Sequence, residues 1–279
     1  MKHATVTKNV KAVAIGGFDG MHEGHQHLFE VLGEHGAIVV IETGYANLTP
    51  GRERERFTTH PIVYVPLEEV RELDCRGFVN YLKTRFPGLE RIVVGYDFRF
   101  GKDRRCSHED LKRLFGGEVR VIDEVRIGGD SVHSHKIRAK LKIGDIVGAN
   151  RFLGHNHTIR GRVVQGQGIG AKELVPTLNM RVEGFLLPKE GVYATLARLD
   201  DEEHFRPAVS FIGHRLTTDG SFAVETHLLD DTVTEVSQIE VSFVKRLRDN
   251  RKFASMSELA AAIEEDIEAA SKALGRLEL

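Results

Sequence analysis

The sequence predicts an α/β half followed by a β-barrel half, and three observations carry that expectation. Up to about residue 153, short apolar runs alternate with amphipathic stretches, the rhythm of a doubly wound α/β sheet. From Thr158 on, strand-like runs follow one another with only turn residues between them, which suggests a small antiparallel barrel. The chain then closes on one long amphipathic helix.

The apolar run Ala12 to Ile15 leads into Gly16-Gly17-Phe18-Asp19-Gly20-Met21-His22-Glu23-Gly24-His25, and Leu28, Phe29 and Leu32 follow at helical spacing. That order reads as strand, glycine-rich turn, helix. Glycines let the backbone approach a ligand closely, and a helix start offers free N–H groups to phosphate. His22 and His25, three residues apart, are placed to face one bound anion. Ala37 to Ile41 and Ile92 to Gly95 are continuous apolar runs, as expected of buried parallel strands. Between them Gly77 to Phe86 has helical spacing, with Phe78, Tyr81 and Leu82 on one face and Pro87-Gly88 as the stop. Ser107 to Phe115 repeats the pattern with Ser107 as cap and Leu111, Leu114 and Phe115 inward, and Val119 to Ile122 supplies another strand. Ser134 to Lys142 and Asp145 to Phe152 read as short closing helices, and the charged run Arg52 to Arg56 as a solvated loop.

In the second half the strand-like runs are Ile159 to Val164, Tyr193 to Leu199, Arg206 to Phe211, Phe222 to Leu228 and Ile239 to Phe243, with Asp219-Gly220 marking one turn. Ser255 and Glu258 form a capping box, Leu259, Ile263, Ile267 and Leu274 an apolar stripe, and Gly275 a stop.

Bulk properties exclude several classes. The 279 residues suffice for two cores, and 41% hydrophobic with 29% charged residues speaks against disorder. A formal charge of −2 gives no pull toward nucleic acid or an anionic membrane surface. No apolar run approaches the roughly 20 residues of a membrane helix. Met1 to Thr5 lacks a leader's apolar core, and Cys75 and Cys106 stand apart without a C-x-x-C pattern. Reduced thiols and a cytoplasmic location are therefore expected. His22, His25 and His27 invite a zinc hypothesis, but no Cys/His framework accompanies them.

The motifs, taken together, resemble the bacterial bifunctional riboflavin kinase/FAD synthetases nearly end to end. The string Gly16 to His25 matches that family's G-x-F-D-G-x-H-x-G-H, and Val94-Gly95-Tyr96-Asp97-Phe98-Arg99-Phe100-Gly101 matches V-G-x-D-F-R-F-G. His133-Ser134-His135-Lys136-Ile137-Arg138 is an altered S-S-T-x-I-R. Pro176-Thr177-Leu178-Asn179, Gly191 to Ala194, Glu225 to Asp230 and Arg248 to Phe253 match the kinase half. The resemblance implies a Rossmann-like nucleotidyltransferase domain over 1–153, making FAD from FMN. It implies a six-stranded antiparallel barrel with a terminal helix over 154–279, phosphorylating riboflavin to FMN. The alternative is an adenylyltransferase whose barrel only binds flavin.

Carried over residue by residue, the resemblance assigns His22 and His25 to the α/β-phosphates of ATP. Gly17, Phe18, Asp19 and Gly24 surround the nucleotide, and Ser134, Lys136 and Arg138 close over its β/γ end. Asp97 faces flavin or metal-nucleotide, its alternative being a capped turn, and Phe98 and Phe100 line the flavin pocket or belong to the core. In the barrel Glu225 is the base for the riboflavin hydroxyl. Thr177 and Asn179 hold Mg²⁺, Asn179 also meets the nucleotide, Arg248 meets flavin, and Gly166, Gly168, Gly170 and Lys172 form the loop over ATP. Strand alternation puts Glu225 and His227 on one face. The implied ligands are ATP, Mg²⁺, riboflavin, FMN and FAD, with no nucleic acid or membrane partner; the oligomeric state is not readable.

Two departures stand out. Gly170-Ala171-Lys172-Glu173-Leu174-Val175 replaces the family's G-R-x-L-G-F before Pro176, and His133 and His135 replace a serine and a threonine. The histidines are expected to bring pH dependence near neutrality.

Overall fold

The structure is a computed structural model that describes residues 8–165, 175–200, 202–230 and 235–275. It divides into two compact units, Met1–Ser134 and His135–Leu279. Among the described residues no helix is long and apolar enough to cross a membrane.

In the first unit the strands are β1 (Ala12–Gly16), β2 (Gly36–Glu42), β3 (Ile62–Pro66), β4 (Arg91–Gly95), β5 (Arg99–Phe100), β6 (Cys106–Ser107), β7 (Glu118–Ile122), β8 (Arg126–Ile127) and β9 (Asp130–Ser131). The helices are α1 (Glu23–Phe29), α2 (Leu67–Val70), α3 (Cys75–Arg85) and α4 (His108–Phe115). Five strands make one parallel sheet in the order β3-β2-β1-β4-β7. Strand side chains alternate between its faces. Val13, Ile15, Val39 and Val94 pack with Phe78 and Leu82 of α3 and Leu111 and Phe115 of α4. Ala14, Ile38, Val40 and Val93 pack on the other face with Leu28 and Phe29 of α1. Both faces are thus covered, which is why these strands read as unbroken apolar runs. The order reverses between β1 and β4, and such a switch point opens a crevice at the strands' carboxyl ends. Gly16 and Gly95 are those ends, so the two motifs Gly16 to His25 and Val94 to Gly101 meet there.

Three expectations change. The edge strand β3, missing from the expected strands, is only a short apolar run between Pro61 and Pro66. Cys75, at the start of α3, and Cys106, in β6, are not separate thiols but a disulfide with Cα atoms 5.9 Å apart. The run 52–56 is not a solvated loop: it lies in a 3₁₀ turn, Gly51–Phe57, whose Arg54 is 3% exposed. By contrast α4 has the expected cap, Ser107 and Asp110 bonding reciprocally.

The second unit contains α5 (Ser134–Ile143), which starts at the division, α6 (Ile146–Leu153), and the strands β10 (Thr158–Val164), β11 (Leu178–Val182), β12 (Gly191–Leu199), β13 (Arg206–His214), β14 (Phe222–Leu228) and β15 (Gln238–Arg248). Helix α7 (Met256–Leu274) follows. The six strands close a barrel in the order β10-β11-β14-β13-β12-β15. By packing α6 goes with the barrel, where the Asn150 amide donates to Phe243 O at 2.8 Å. Inside, a chain of buried hydroxyls runs from Thr195 through Ser210 to Thr226, at 2.8 and 2.9 Å. Val192, Ala194 and Val209 alternate outward and pack against Ala270 and Leu274 of α7. Of the expected stripe, Ile267 and Leu274 pack on the barrel strands, beside a buried seam that also includes Ala262, Asp266 and Ala270. Leu259 and Ile263 instead border a cavity beside the barrel.

Candidate functional site

Two sites emerge, one in each unit. The first is the turn after β1. Phe18 (φ 47°) and Met21 (φ 43°) both occupy the left-handed region, which costs a non-glycine residue roughly 1–3 kcal/mol. Surrounding bonds hold that conformation. Asp19 accepts from the backbone N–H groups of Asn47 (3.2 Å), Leu48 (3.0 Å) and Thr49 (2.9 Å). The Gly20 N–H donates to Thr49 Oγ1 at 2.7 Å, and Ser134 Oγ donates to Asp19 O at 2.7 Å. Arg54 Nε donates to Gly17 O at 3.2 Å and its Nη1 to Gly51 O at 2.8 Å.

The imidazoles of His22 and His25 stack, centroids 3.5 Å apart, and Phe18 packs edge-on against His25. His25 Nδ1 is buried and, among the described residues, meets no hydrogen-bond partner. Burial, first, and then the proximity of His22, Arg54 and His133 push the His25 pKa well below its usual value. His25 is therefore a neutral imidazole at physiological pH, a hydrogen-bonding group rather than a charge. Arg54 also has a lowered pKa, from burial, which the nearby Asp19 carboxylate opposes. Above Gly17 there is open space, and a side chain at Gly24 would meet the His22 ring at 3.2 Å.

Phe18 is a core side chain at 3% exposure, and the Asp19 carboxylate accepts from the backbone of the 47–49 loop. Phe100 is buried against Phe78, and the partly buried Phe98 stacks on Phe100. Asp97 is exposed just past β4, its carboxylate beside Gly95. Next to it Tyr96 OH donates to Glu124 at 3.0 Å and lies 3.3 Å from His133 Nε2. Lys136 and Arg138 lie half-buried on α5.

The second site is on the outer face of the barrel. Register sets Asn179 on β11 directly opposite Glu225 on β14, and Glu225 opposite Phe211 on β13. His227, on the same face as Glu225, has Nδ1 2.7 Å from Pro176 O and so anchors the segment carrying Thr177. Thr177, Glu225 and His227 border a cavity of about 180 Å³ whose apolar wall includes Val192, Val209, Phe211, Leu259 and Ile263. Arg248 borders it too, but its fork is bound by Asp266, Nε to Oδ1 at 2.8 Å and Nη2 to Oδ2 at 2.7 Å. Its guanidinium also lies over the Phe253 ring. It reaches the cavity as a fixed wall more than as a free cation. Gly166, Gly168, Gly170 and Lys172 lie outside the described residues.

Sequence reasoning missed Arg54, Arg215 and Asp266. Arg215 follows β13 and donates to Glu225 Oε1 from Nε at 2.9 Å and from Nη2 at 2.6 Å. The same Nη2 donates to Asn179 Oδ1 at 2.6 Å, the oxygen expected to meet a metal. Asp266 alone carried a signal, an acid four residues from Ala262 and Ala270 on the helix's small-residue seam.

A family model described as riboflavin kinase matches residues 153–274. A bifunctional riboflavin kinase/FMN adenylyltransferase of Pseudomonas fluorescens is 31% identical over 92% of this chain and 90% of its own length. Those of Listeria monocytogenes (29%, over 92% and 90%) and Escherichia coli K12 (30%, over 91% and 90%) are similar across the same span. Among solved structures, a chain described as a macrolide-efflux protein from Streptococcus pneumoniae matches with a TM-score of 0.80 at 26% identity, covering 94% of both chains.

Proposed function

The chain belongs to the bifunctional riboflavin kinase/FMN adenylyltransferase family, and on that premise we propose that its two halves each carry one reaction at the sites described above. It is a transferase of flavin cofactor synthesis, phosphorylating riboflavin to FMN and adenylylating FMN to FAD. We assign the second reaction to residues 1–153 and the first to 154–279.

At the Gly16–His25 turn an FMN phosphate oxygen attacks the α-phosphorus of ATP; the new P–O bond forms as the bond to the β-phosphate breaks and pyrophosphate leaves. No covalent enzyme intermediate is needed, so the work is positioning and charge stabilisation. His22 and neutral His25 donate N–H bonds to the α-phosphate oxygens, the open space over Gly17 admits the nucleotide, and Gly24 leaves room for the His22 ring. Ser134 Oγ belongs to the turn through its bond to Asp19 O, and Lys136 and Arg138 keep the β/γ-phosphate role that the family motif gives them. Asp97 faces flavin or metal-nucleotide from the carboxyl end of β4.

At the barrel, Glu225 accepts the proton of the riboflavin 5′-hydroxyl as that oxygen attacks the γ-phosphorus and the bond to ADP breaks. The observation that carries this reading is that Glu225, paired in register with Asn179, borders an apolar cavity together with Thr177. Thr177 hydroxyl and Asn179 amide oxygens are hard donors that would suit Mg²⁺; Asn179 Oδ1 accepts from Arg215 with one lone pair and has a second for a cation. When bound, Mg²⁺ supplies charge neutralisation at the transferring phosphoryl group. The apolar wall and Arg248 accept the flavin ring.

We place the enzyme in the cytoplasm, where its small-molecule substrates are used. In a reducing compartment the Cys75–Cys106 pair would rest as thiols.

The test is one incubation of purified protein with riboflavin, ATP and Mg²⁺, the flavins separated over time. FMN first and FAD following is the expected result. FAD from added FMN, with no product from riboflavin, would mean that the barrel binds without catalysing. No conversion of either flavin would overturn the proposal.

A further inference from the structure

Glu225 is held by one particular side chain. Arg215 sits in the turn between β13 and β14, which is closed by bonds from Arg215 N to Ser221 O (2.9 Å) and from Gly220 N to Arg215 O (3.0 Å). All three guanidinium nitrogens are engaged. Nε and Nη2 converge on Glu225 Oε1, Nη2 also reaches Asn179 Oδ1, and Nη1 donates to Ser221 Oγ at 2.7 Å. Ser221 Oγ donates onward to Asp219 Oδ1 at 2.8 Å. The turn is tied to the segment before α7 by a bond from Phe253 N to Thr217 Oγ1, 3.1 Å. The fork is therefore built into the fold and is not a rotatable surface cation: the Arg215 side chain is 17% exposed and that of Glu225 22%.

The asymmetry of the contact matters. Two N–H groups grip one carboxylate oxygen, Oε1, while among the described residues none donates to Oε2. Two donors on one oxygen fix the position of Oε1, and with the Glu225 backbone held in β14 that anchor limits where Oε2 can lie. Oε2 is then the atom left to take a proton, on a residue that borders the cavity. The Asn179 amide is oriented by the same nitrogen, so one guanidinium sets two groups of the kinase site.

We propose that Arg215 is the positioning residue of the kinase reaction, orienting Glu225 so that Oε2 faces the substrate hydroxyl. This rests on the reading of Glu225 as the base. It acts through Glu225 and Asn179, and it has no part in adenylyl transfer.

The experiment compares the full-length wild type with Arg215→Ala, Arg215→Lys and Glu225→Gln, measuring kinase kcat and KM for riboflavin and for ATP. Adenylylation of supplied FMN and thermal unfolding serve as folding controls. For Arg215→Ala the expected kcat falls by about 10²-fold while both KM values stay within about threefold, the signature of lost orientation and not lost binding. Added millimolar guanidinium restores a substantial part of that kcat, because it refills the vacated site, and Lys recovers less, having charge without the fork. A raised KM with kcat unchanged would overturn the proposal in favour of direct substrate contact. Loss of kcat without guanidinium rescue, accompanied by a lowered Tm, would overturn it in favour of a structural role. Should Glu225→Gln phosphorylate riboflavin at the wild-type rate, the base assignment beneath the proposal would fall, whatever Arg215→Ala does.

Discussion

His22 and His25 lie face to face, their ring planes 18° from parallel, at the head of α1. The pair has a pH consequence. His25 binds a proton in the folded chain only well below its ordinary pKa of 6.5. As pH falls, the unfolded chain takes that proton first. The stability His25 contributes is thus complete above about pH 6.5 and is lost as pH falls from there toward the folded-state pKa. Thermal unfolding of wild type against His25→Gln, between about pH 7.5 and 5.5, should show a shallower decline in the variant. Parallel declines would remove His25 as the source.

The two activities should separate by mutation. Glu225→Gln is expected to cut FMN formation by about 10² or more while adenylylation of supplied FMN survives. His25→Ala should do the reverse, blocking FAD and letting FMN accumulate. Undiminished FAD synthesis by His25→Ala would sink the assignment of the first site.

Arg54 supports the nucleotide turn from beneath. Arg54→Leu removes the donors to Gly17 O and Gly51 O and leaves those carbonyls short of partners, costing roughly 1–3 kcal/mol. We expect a lowered Tm together with slowed FAD synthesis assayed below the transition. An unchanged Tm would make Arg54 a spectator.

The Cys75–Cys106 bridge closes a separation of 31 residues, which the chain-entropy model values at about 3–4 kcal/mol. Denaturant unfolding with and without a thiol reductant should show that loss in the wild type and none in the Cys75→Ser/Cys106→Ser double variant. Equal midpoints in the wild type would show that the bridge adds no stability.

Local signals made much of this fold readable. Continuous apolar strands, the Ser107 cap and the Ser255 cap depend on residues close in sequence, and they stand where the sequence places them. What escaped depends on distance along the chain. Arg54 reads as one charge among five in 52–56, and only its contact 37 residues away, with Gly17, turns it inward. Cys75 and Cys106 become a pair only once α3 and β6 are brought together. Arg215 reaches Asn179 across 36 residues of sequence through a turn whose shape no periodicity encodes. Phe100 and Phe18 show the converse limit, since an aromatic in a motif reads alike whether its ring meets ligand or core.

Closure of the barrel also sets a timetable for the ribosome. β10 pairs with β15, and Arg160 meets Glu240 across 80 residues of chain. At a synthesis rate of about 5–20 residues per second, β10 waits roughly 4–16 s for that partner, whereas β7 completes the parallel sheet while the barrel strands are still unmade. The nascent chain therefore carries a finished first half together with a β10 that can pair on one edge with β11 but has its other edge open until Gln238–Arg248 emerges, the interval in which that edge is exposed to other chains.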